Sequence, residues 1–143
     1  KGHPFILDFI FTSCKEFCGD MTAKMREVRA GLGPGSPIRC VSVSVDPDTD
    51  RPTRLKAFAK AHDATDPNWL FLTGERATIG TLMQALHLAP SGDPSQLNPM
   101  QHSSRFVLVD GDGRVRGYYA YADEEARKRL VSDAKALESK EIQ

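Results

Sequence analysis

Two hydrophobic periodicities alternate along the chain, and together they predict an α/β protein. Residues 5–11 form an almost continuous apolar run, interrupted only by Asp8, which is typical of a central strand covered on both faces. Residues 38–45 form a second strand, in which Cys40 shares one face with Ser42 and Ser44. Further strands are predicted at residues 69–72, 105–109 and 114–121, with a hairpin turn at residues 110–113.

Segments with a period near 3.6 residues separate these strands and predict four helices. They are expected at residues 17–30, from about residue 50, at residues 73–88 and at residues 123–137. The residues expected on their inner faces are Met21, Met25, Val28 and Leu32, then Leu55, Phe58 and Ala59, then Ile79, Leu82, Met83 and Leu86, and finally Ala126, Leu130, Ala134 and Leu137.

Local signals mark the predicted helix ends. Gly31 and Gly33 are expected to end the first helix. Asp50 is expected to cap the second helix, with Pro52 in its first turn, and Thr73 to cap the third. The resulting order is βαβαβαββα, so we predict a thioredoxin-like fold with a central mixed sheet flanked by helices. Residues 1–143 are expected to form one domain, without the N-terminal anchor region of a membrane-tethered protein.

Charge and cysteine content narrow the classes of function. The chain has 19 basic and 19 acidic residues, so nothing indicates a nucleic-acid or anionic-membrane surface. Neither a membrane-spanning stretch nor a signal peptide pattern is visible. Three cysteines cannot form a complete disulfide framework, and the close pair Cys14 and Cys18 therefore indicates redox or metal chemistry. Cys40 lies within an apolar strand and is expected to be a core thiol.

The Cys14–Cys18 spacing suits both kinds of chemistry. Cys14 follows the first strand where the chain turns into a helix, at the carboxyl edge where α/β sheets place their sites. The helix start and the neighbouring Lys15 favour thiolate over thiol. Positions four apart on a helix place their Cβ atoms about 5–6 Å apart. Two such thiolates can hold one metal ion, and a disulfide requires the first turn to adjust.

His102 is the third candidate ligand, because it lies in the loop just before the strand at residues 105–109. In a thioredoxin fold this loop lies beside the cysteines and usually carries a cis-proline, which residues 101–104 lack. Two thiolates and an imidazole suit copper, as Cu(I) or Cu(II), whereas structural zinc usually takes four protein ligands. Whether Asp46 or Met100 contributes stays open. A calcium loop at residues 46–57 is excluded by Arg51 and Ala57.

The chain resembles the Sco/SenC family of copper proteins. The resemblance is carried, in family order, by DFIFTSCKEFC at residues 8–18, VSVSVDPDTD at residues 41–50, FLTG at residues 71–74 and HSSRFVLVD at residues 102–110. It implies a membrane-anchored protein facing the periplasm or another extracytoplasmic side, or the mitochondrial intermembrane space in a eukaryote. It also implies a metallochaperone that helps to build the dinuclear copper centre of cytochrome c oxidase, with that oxidase's copper-site subunit and other copper chaperones as partners.

The chain departs from the family pattern at three positions. Lys15 and Gly19 stand where the family usually has prolines after the two cysteines, and Gln101 replaces an acidic residue before the histidine. We therefore expect a looser first turn, and an affinity or partner choice that differs from the family's.

An alternative function is thiol-disulfide oxidoreductase chemistry, in which Cys14 and Cys18 form the redox pair and His102 is dispensable. The two functions are compatible, because oxidation of the pair could release copper. A peroxidase of the same fold is disfavoured, since no supporting arginine or glutamine-tryptophan set is evident near Cys14.

Overall fold

The computed structural model describes residues 2–10, 18–33, 35–44, 50–62, 64, 66–86 and 105–142, without the side chains of residues 18–20, 76 and 140–142. Within these residues, five strands and four helices follow one another in the predicted order. The strands are β1 (Phe5–Ile10), β2 (Arg39–Ser44), β3 (Trp69–Leu72), β4 (Arg105–Val109) and β5 (Val115–Ala120). The helices are α1 (Cys18–Leu32), α2 (Pro52–Ala61), α3 (Arg76–Ala85) and α4 (Glu124–Ile142).

The strands form one mixed sheet in the order β3-β2-β1-β4-β5. β1 pairs in parallel with β2 and antiparallel with β4, so it lies at the centre of the sheet. β3 extends the parallel half, and β5 extends the antiparallel half through the predicted hairpin turn. Gly113 adopts a φ of 85° in this turn, a conformation that glycine reaches without steric cost. The predicted α/β architecture with a mixed central sheet is confirmed.

Two hydrophobic clusters cover the two faces of the sheet. One cluster joins Ile6, Cys40 and Phe106 to the inner faces of α1 and α4. The other joins Phe9 and Val107 to α3. The inner faces predicted for α1 and α4 are confirmed, since all eight side chains are buried. They are Met21, Met25, Val28, Leu32, Ala126, Leu130, Ala134 and Leu137.

Leu82 is the exception among the predicted inner-face residues of α3. Ile79, Met83 and Leu86 are buried, but Leu82 is 38% exposed. Its side chain lines an open groove together with Leu70 and Leu72. The helical period predicts which residues lie on one face of the helix. How much of that face is buried depends on the orientation in which the helix packs against the sheet.

The predicted caps of α2 and α3 are wrong. Arg51 and not Asp50 is the N-cap of α2, with Pro52 as the first helical residue. Asp50 is fully buried and accepts a hydrogen bond from Ser44 Oγ at 2.7 Å, so its carboxylate is used in a tertiary contact. α3 begins at Arg76 with Glu75 as N-cap, three residues after the predicted start, and it ends at Ala85.

The prediction that Gly31 ends α1 is also wrong, because the helix continues through Gly31 to Leu32. A Cβ atom at Gly31 would lie 3.1 Å from Val131 Cγ2, so glycine here permits the close approach of α1 and α4. Gly33, with a φ of 95°, follows the helix as predicted, and its N–H donates to the Ala30 carbonyl. α4 extends five residues beyond the predicted end.

Within the described residues, no helix combines the length and the apolar character needed to cross a lipid bilayer.

Candidate functional site

The described strand ends that flank the predicted ligands lie at one edge of the sheet. β1 ends at Ile10, four residues before Cys14, and β4 begins at Arg105, three residues after His102. Because β1 and β4 are antiparallel neighbours, the end of β1 and the start of β4 lie at the same edge. The parallel strand β2 also ends there, at Ser44.

The predicted ligands themselves fall largely outside the described residues. Cys14 and His102 lie outside them, as do Asp46 and Met100. Cys18 is described in its backbone alone, as the first residue of α1. The described residues contain no cluster of three or more His, Cys, Asp or Glu side chains that could hold a metal ion. The three-ligand site therefore stays a prediction.

The start of α1 at Cys18 fits the electrostatic part of that prediction. The first four backbone N–H groups of a helix have no partner within the helix, and with the helix dipole they favour negative charge. A thiolate at this position gains from that field. The donor set of two thiolates and one imidazole also fits copper on ligand chemistry, because soft sulfur donors select Cu(I) and imidazole binds copper in both oxidation states.

A row of buried polar groups lies beneath this edge, between β1, β2 and β3. Asp8 pairs with Ser42 across the parallel strands, and the Ser42 hydroxyl donates to Asp8 Oδ1 at 2.5 Å. Trp69 Nε1 donates to Ser42 Oγ at 3.1 Å. Two positions along β2, Ser44 Oγ bonds to Asp50, whose other oxygen lies 3.7 Å from Arg54 Nε. Side chains of three strands thus form a buried polar row on one face of the sheet, and Asp50 extends this row to the end of β2.

Asp8 is the electrostatically unusual member of the row. Burial raises the pKa of its carboxyl from 3.8 to about 7, and the hydrogen bond from Ser42 opposes that rise. Its Oδ2 atom is buried without a hydrogen-bond partner. A carboxyl with this pKa titrates near neutral pH, whereas an exposed aspartate is fully ionised there.

Cys40 is a core thiol, as predicted. It is fully buried, and burial raises the pKa of its thiol to about 12, with the charges of Asp8 and Asp66 adding to the rise and that of Arg29 opposing it. Since the thiolate is the reactive and metal-binding form, Cys40 has neither the ionisation nor the access for that chemistry.

In the sequence, Asp8 stands out only as an interruption of an apolar run. Its burial could have been anticipated, because a single carboxylate among six apolar strand residues cannot reach water when both faces of the strand are covered. Its hydrogen-bond partner could not be anticipated, since Ser42 lies 34 positions away along the chain. Trp69, which donates to Ser42, lies 61 positions from Asp8.

The fold places this protein in the thioredoxin-like class, with a cysteine at the start of its first helix. The family model described as SCO1/SenC matches residues 1–137. The chain therefore belongs to the SCO1/SenC family. A curated relative, the SCO1 protein homolog of Bacillus subtilis, is 34% identical over 138 residues, covering 95% of this chain and 72% of the relative.

Solved structures of relatives agree with this fold. The structure of BsSco, described as a member of the Sco family of cytochrome c oxidase assembly proteins that contains a disulfide switch, matches with a TM-score of 0.80 and 34% identity. That match covers 97% of this chain and 82% of the other. A SCO1/SenC family lipoprotein from Bacillus anthracis matches with a TM-score of 0.78 and 30% identity, covering 96% and 82% of the two chains.

Copper is present in structures of more distant homologues. One is the ScoI protein of Bradyrhizobium japonicum with copper bound, which has a TM-score of 0.74 at 24% identity and covers 96% of this chain and 86% of the other. At this identity the match supports the fold of the present chain.

Proposed function

We propose that this protein binds one copper ion through the thiolates of Cys14 and Cys18 and the imidazole of His102. In this role it acts as a metallochaperone in assembly of the dinuclear copper centre of cytochrome c oxidase. The donor chemistry favours copper, and the ScoI protein of Bradyrhizobium japonicum, which shares this fold, has been solved with copper bound. Its partners would be the oxidase subunit that carries this centre and other copper chaperones. Copper would be the cargo, and the protein would supply the ligands and the partner surface.

One structural observation carries the three-ligand proposal. The end of β1 and the start of β4 lie at the same sheet edge, because the two strands are antiparallel neighbours. A chain extends at most about 3.5 Å per residue, so Cys14 lies within about 14 Å of Ile10 and His102 within about 10 Å of Arg105. These limits are compatible with all three side chains sharing one ion.

Copper titration of the reduced protein tests the proposal. We expect one equivalent to bind, and the variants Cys14→Ser, Cys18→Ser and His102→Ala each to lose most of the affinity. With Cu(II), a thiolate-to-copper absorption band and the electron spin resonance spectrum should change in every one of the three variants. Equal copper retention by His102→Ala would rule out the three-ligand site.

Two other substitutions serve as matched controls. Cys40→Ala removes a thiol that is buried in the core, and His62→Ala removes an imidazole that packs against Phe58 at a ring-centroid distance of 4.3 Å. Neither variant should change the copper stoichiometry or the spectra. A loss of copper in either variant, with folding intact, would contradict the assignment of ligands.

A second function, thiol-disulfide oxidoreductase chemistry, is favoured by the disulfide switch described for BsSco. In it, Cys14 attacks a partner disulfide as thiolate, Cys18 resolves the mixed disulfide, and the partner receives two electrons as this pair is oxidised. Metal-free protein should then reduce partner disulfides even as the His102→Ala variant. Absence of turnover would end this reading.

Oxidation also offers a release mechanism for copper. In a Cys14–Cys18 disulfide, neither sulfur carries the negative charge of a thiolate, which is the form that binds metal. We therefore expect copper affinity to fall sharply in the oxidised protein. Unchanged copper binding after oxidation, with the disulfide verified by mass spectrometry, would refute this link.

For location, we propose a membrane-anchored protein facing an extracytoplasmic compartment. The B. anthracis relative is described as a lipoprotein, which supports this location. A cysteine pair that switches between dithiol and disulfide also requires a compartment that is not strongly reducing. Residues 1–143 would act as one thioredoxin-like domain. Fractionation of cells that express the full-length gene product would test the location, and recovery in the cytosol would contradict it.

A further inference from the structure

An open groove lies on the face of the sheet that α3 covers only in part. Side chains of β1 and β2 form its floor, and its sides are formed by β3, by α3 and by the residues that lead into β1. The cavity has a volume of about 760 Å³, which is within the range of small-molecule sites in proteins. The aliphatic side chains that line this β2–β3 groove are Leu7, Val41, Val43, Leu70, Leu72 and Leu82.

Three leucines leave an apolar surface in the β2–β3 groove exposed. Leu70, Leu72 and Leu82 are 36%, 45% and 38% exposed. A contiguous apolar surface marks a binding site more often than a single exposed leucine does. The inner face of α3 packs in one cluster with Phe9 and Val107, so it covers β1 and β4 and leaves part of β2 and β3 open.

One end of the β2–β3 groove carries a positive charge. Arg39 is the first residue of β2, and it shares a face with Val41 and Val43 because side chains alternate along a strand. Its side chain is exposed and forms no ion pair or hydrogen bond with the described residues. None of the described residues that line the groove is acidic, and His3, which also lines it, is held by Glu138 at 2.9 Å. The groove therefore has the polarity of a site for an apolar molecule with one negative charge.

The shape of the groove indicates an elongated occupant that is charged at one end. Its floor runs along β2 from Arg39 to Val43, four residue steps of a strand, which is about 13 Å. A guanidinium pairs with a carboxylate through two parallel hydrogen bonds. A second copy of the chain fits less well, because a symmetric dimer would place one concave groove against another.

We propose that the β2–β3 groove binds a long-chain carboxylic acid. The carboxylate pairs with Arg39, and the alkyl chain lies on Val41 and Val43 against the three exposed leucines. The start of β2 and the end of β1 lie at opposite edges of the sheet, because the two strands are parallel. This site is therefore separate from the proposed copper site, which flanks the end of β1, and it does not depend on copper.

Calorimetric titration with dodecanoate, below its micelle concentration, tests the proposal. We expect one equivalent to bind. Arg39→Gln should weaken binding about tenfold, the effect of losing one exposed charge-assisted pair. Leu72→Asp should abolish binding, because it places a negative charge beside the alkyl chain. The matched control is Arg114→Gln, which removes an exposed arginine outside the groove and should bind dodecanoate as the wild type does.

Comparison with other ligands separates the charge from the alkyl chain. Dodecanol has the same chain without the charge, so the wild type should bind it more weakly than dodecanoate, and Arg39→Gln should bind the two about equally. Decanoate should bind roughly tenfold more weakly than dodecanoate, because two fewer methylene groups are buried. An equal loss of dodecanol and dodecanoate binding in Arg39→Gln would contradict the pairing of the carboxylate with Arg39.

Three outcomes would overturn the proposal. One is the absence of saturable dodecanoate binding. Another is a dimer in sedimentation velocity that Leu72→Asp makes monomeric, because a second copy would then cover the groove. The third is binding by residues 1–143 but not by the full-length gene product, because another part of the polypeptide would then cover it. Circular dichroism of each variant checks that folded proteins are compared.

Discussion

Replacing Asp8 with asparagine should stabilise the reduced, metal-free protein at alkaline pH and leave it nearly unchanged at pH 4. Asparagine can accept the same hydrogen bond from Ser42 Oγ, and its amide replaces the unpartnered Oδ2 atom. It therefore resembles the protonated carboxyl in shape and hydrogen bonding, but it never ionises.

The magnitude follows from the pKa of Asp8, which burial raises from 3.8 to about 7. Well below pH 3.8 the carboxyl is protonated in both the folded and the unfolded protein and contributes no difference. At pH 4 the unfolded chain is already partly ionised, which is worth about 0.5 kcal/mol. Between pH 4 and pH 7 the unfolded chain ionises first, so the free energy of unfolding falls as pH rises. Each pKa unit is worth about 1.4 kcal/mol, which gives a limiting cost of about 4 kcal/mol above pH 7.

The assay is urea unfolding of the wild type and Asp8→Asn at a series of pH values from 4 to 8.5. The difference between the two proteins cancels the titration of every group they share. We expect it to be near zero at pH 4 and to reach about 2–4 kcal/mol in favour of the variant at pH 8.5, since water reaching the carboxylate would relieve part of the cost.

Asp112→Asn is the control, because Asp112 lies exposed in the turn between β4 and β5. Its effect should stay within about 0.5 kcal/mol at every pH. A stability difference between Asp8→Asn and the wild type that is the same at pH 5 and pH 8 would refute the reasoning. It would mean that Asp8 keeps one charge state in the folded protein throughout this range.

Two further predictions concern the packing around α1. Arg29→Met should lower the free energy of unfolding by about 3 kcal/mol, because it leaves the Ile38 carbonyl, now bonded to Arg29 Nη1 at 2.8 Å, without its donor. The pKa of Asp66, held low first by the backbone N–H of Asn68 and also by Arg29, should rise in that variant, as NMR titration can show. An unchanged Asp66 pKa would contradict the ion pair. Gly31→Val should cost about 1–3 kcal/mol by overpacking against Val131, and Val131→Ala should restore part of it in the double variant. Additive effects in that thermal or urea unfolding cycle would show that the two positions do not touch.

The element order and the inner faces were predictable from the sequence because they depend on local periodicity. Residues that point to the same face recur every 2 positions along a strand and about every 3.6 positions along a helix, independently of the rest of the chain. This is why Met21, Met25 and Leu130 were placed in the core correctly. The prediction that Asp50 caps α2 failed, because its carboxylate accepts a hydrogen bond from Ser44 of β2.

The sequence indicated the candidate ligands of the site, and the structure showed how the strands next to them are arranged. Cys14, Cys18 and His102 were selected by spacing, by donor type and by family resemblance, and their mutual geometry stays a prediction. What the described residues add is the antiparallel pairing of β1 and β4, which sets the two flanking strand ends at one edge.

The sequence by itself determined which segments are strands and helices, which faces they bury and which residues can donate to a metal, since all of these are properties of short stretches of chain. Only the tertiary structure decided that Asp8 meets Ser42, that Ser42 accepts a hydrogen bond from Trp69, and that Tyr118 joins Leu86 to Arg105. These contacts exist because β1 lies between β2 and β4, and β4 between β1 and β5. Strand order is set by the packing of the whole sheet, and no local pattern encodes it.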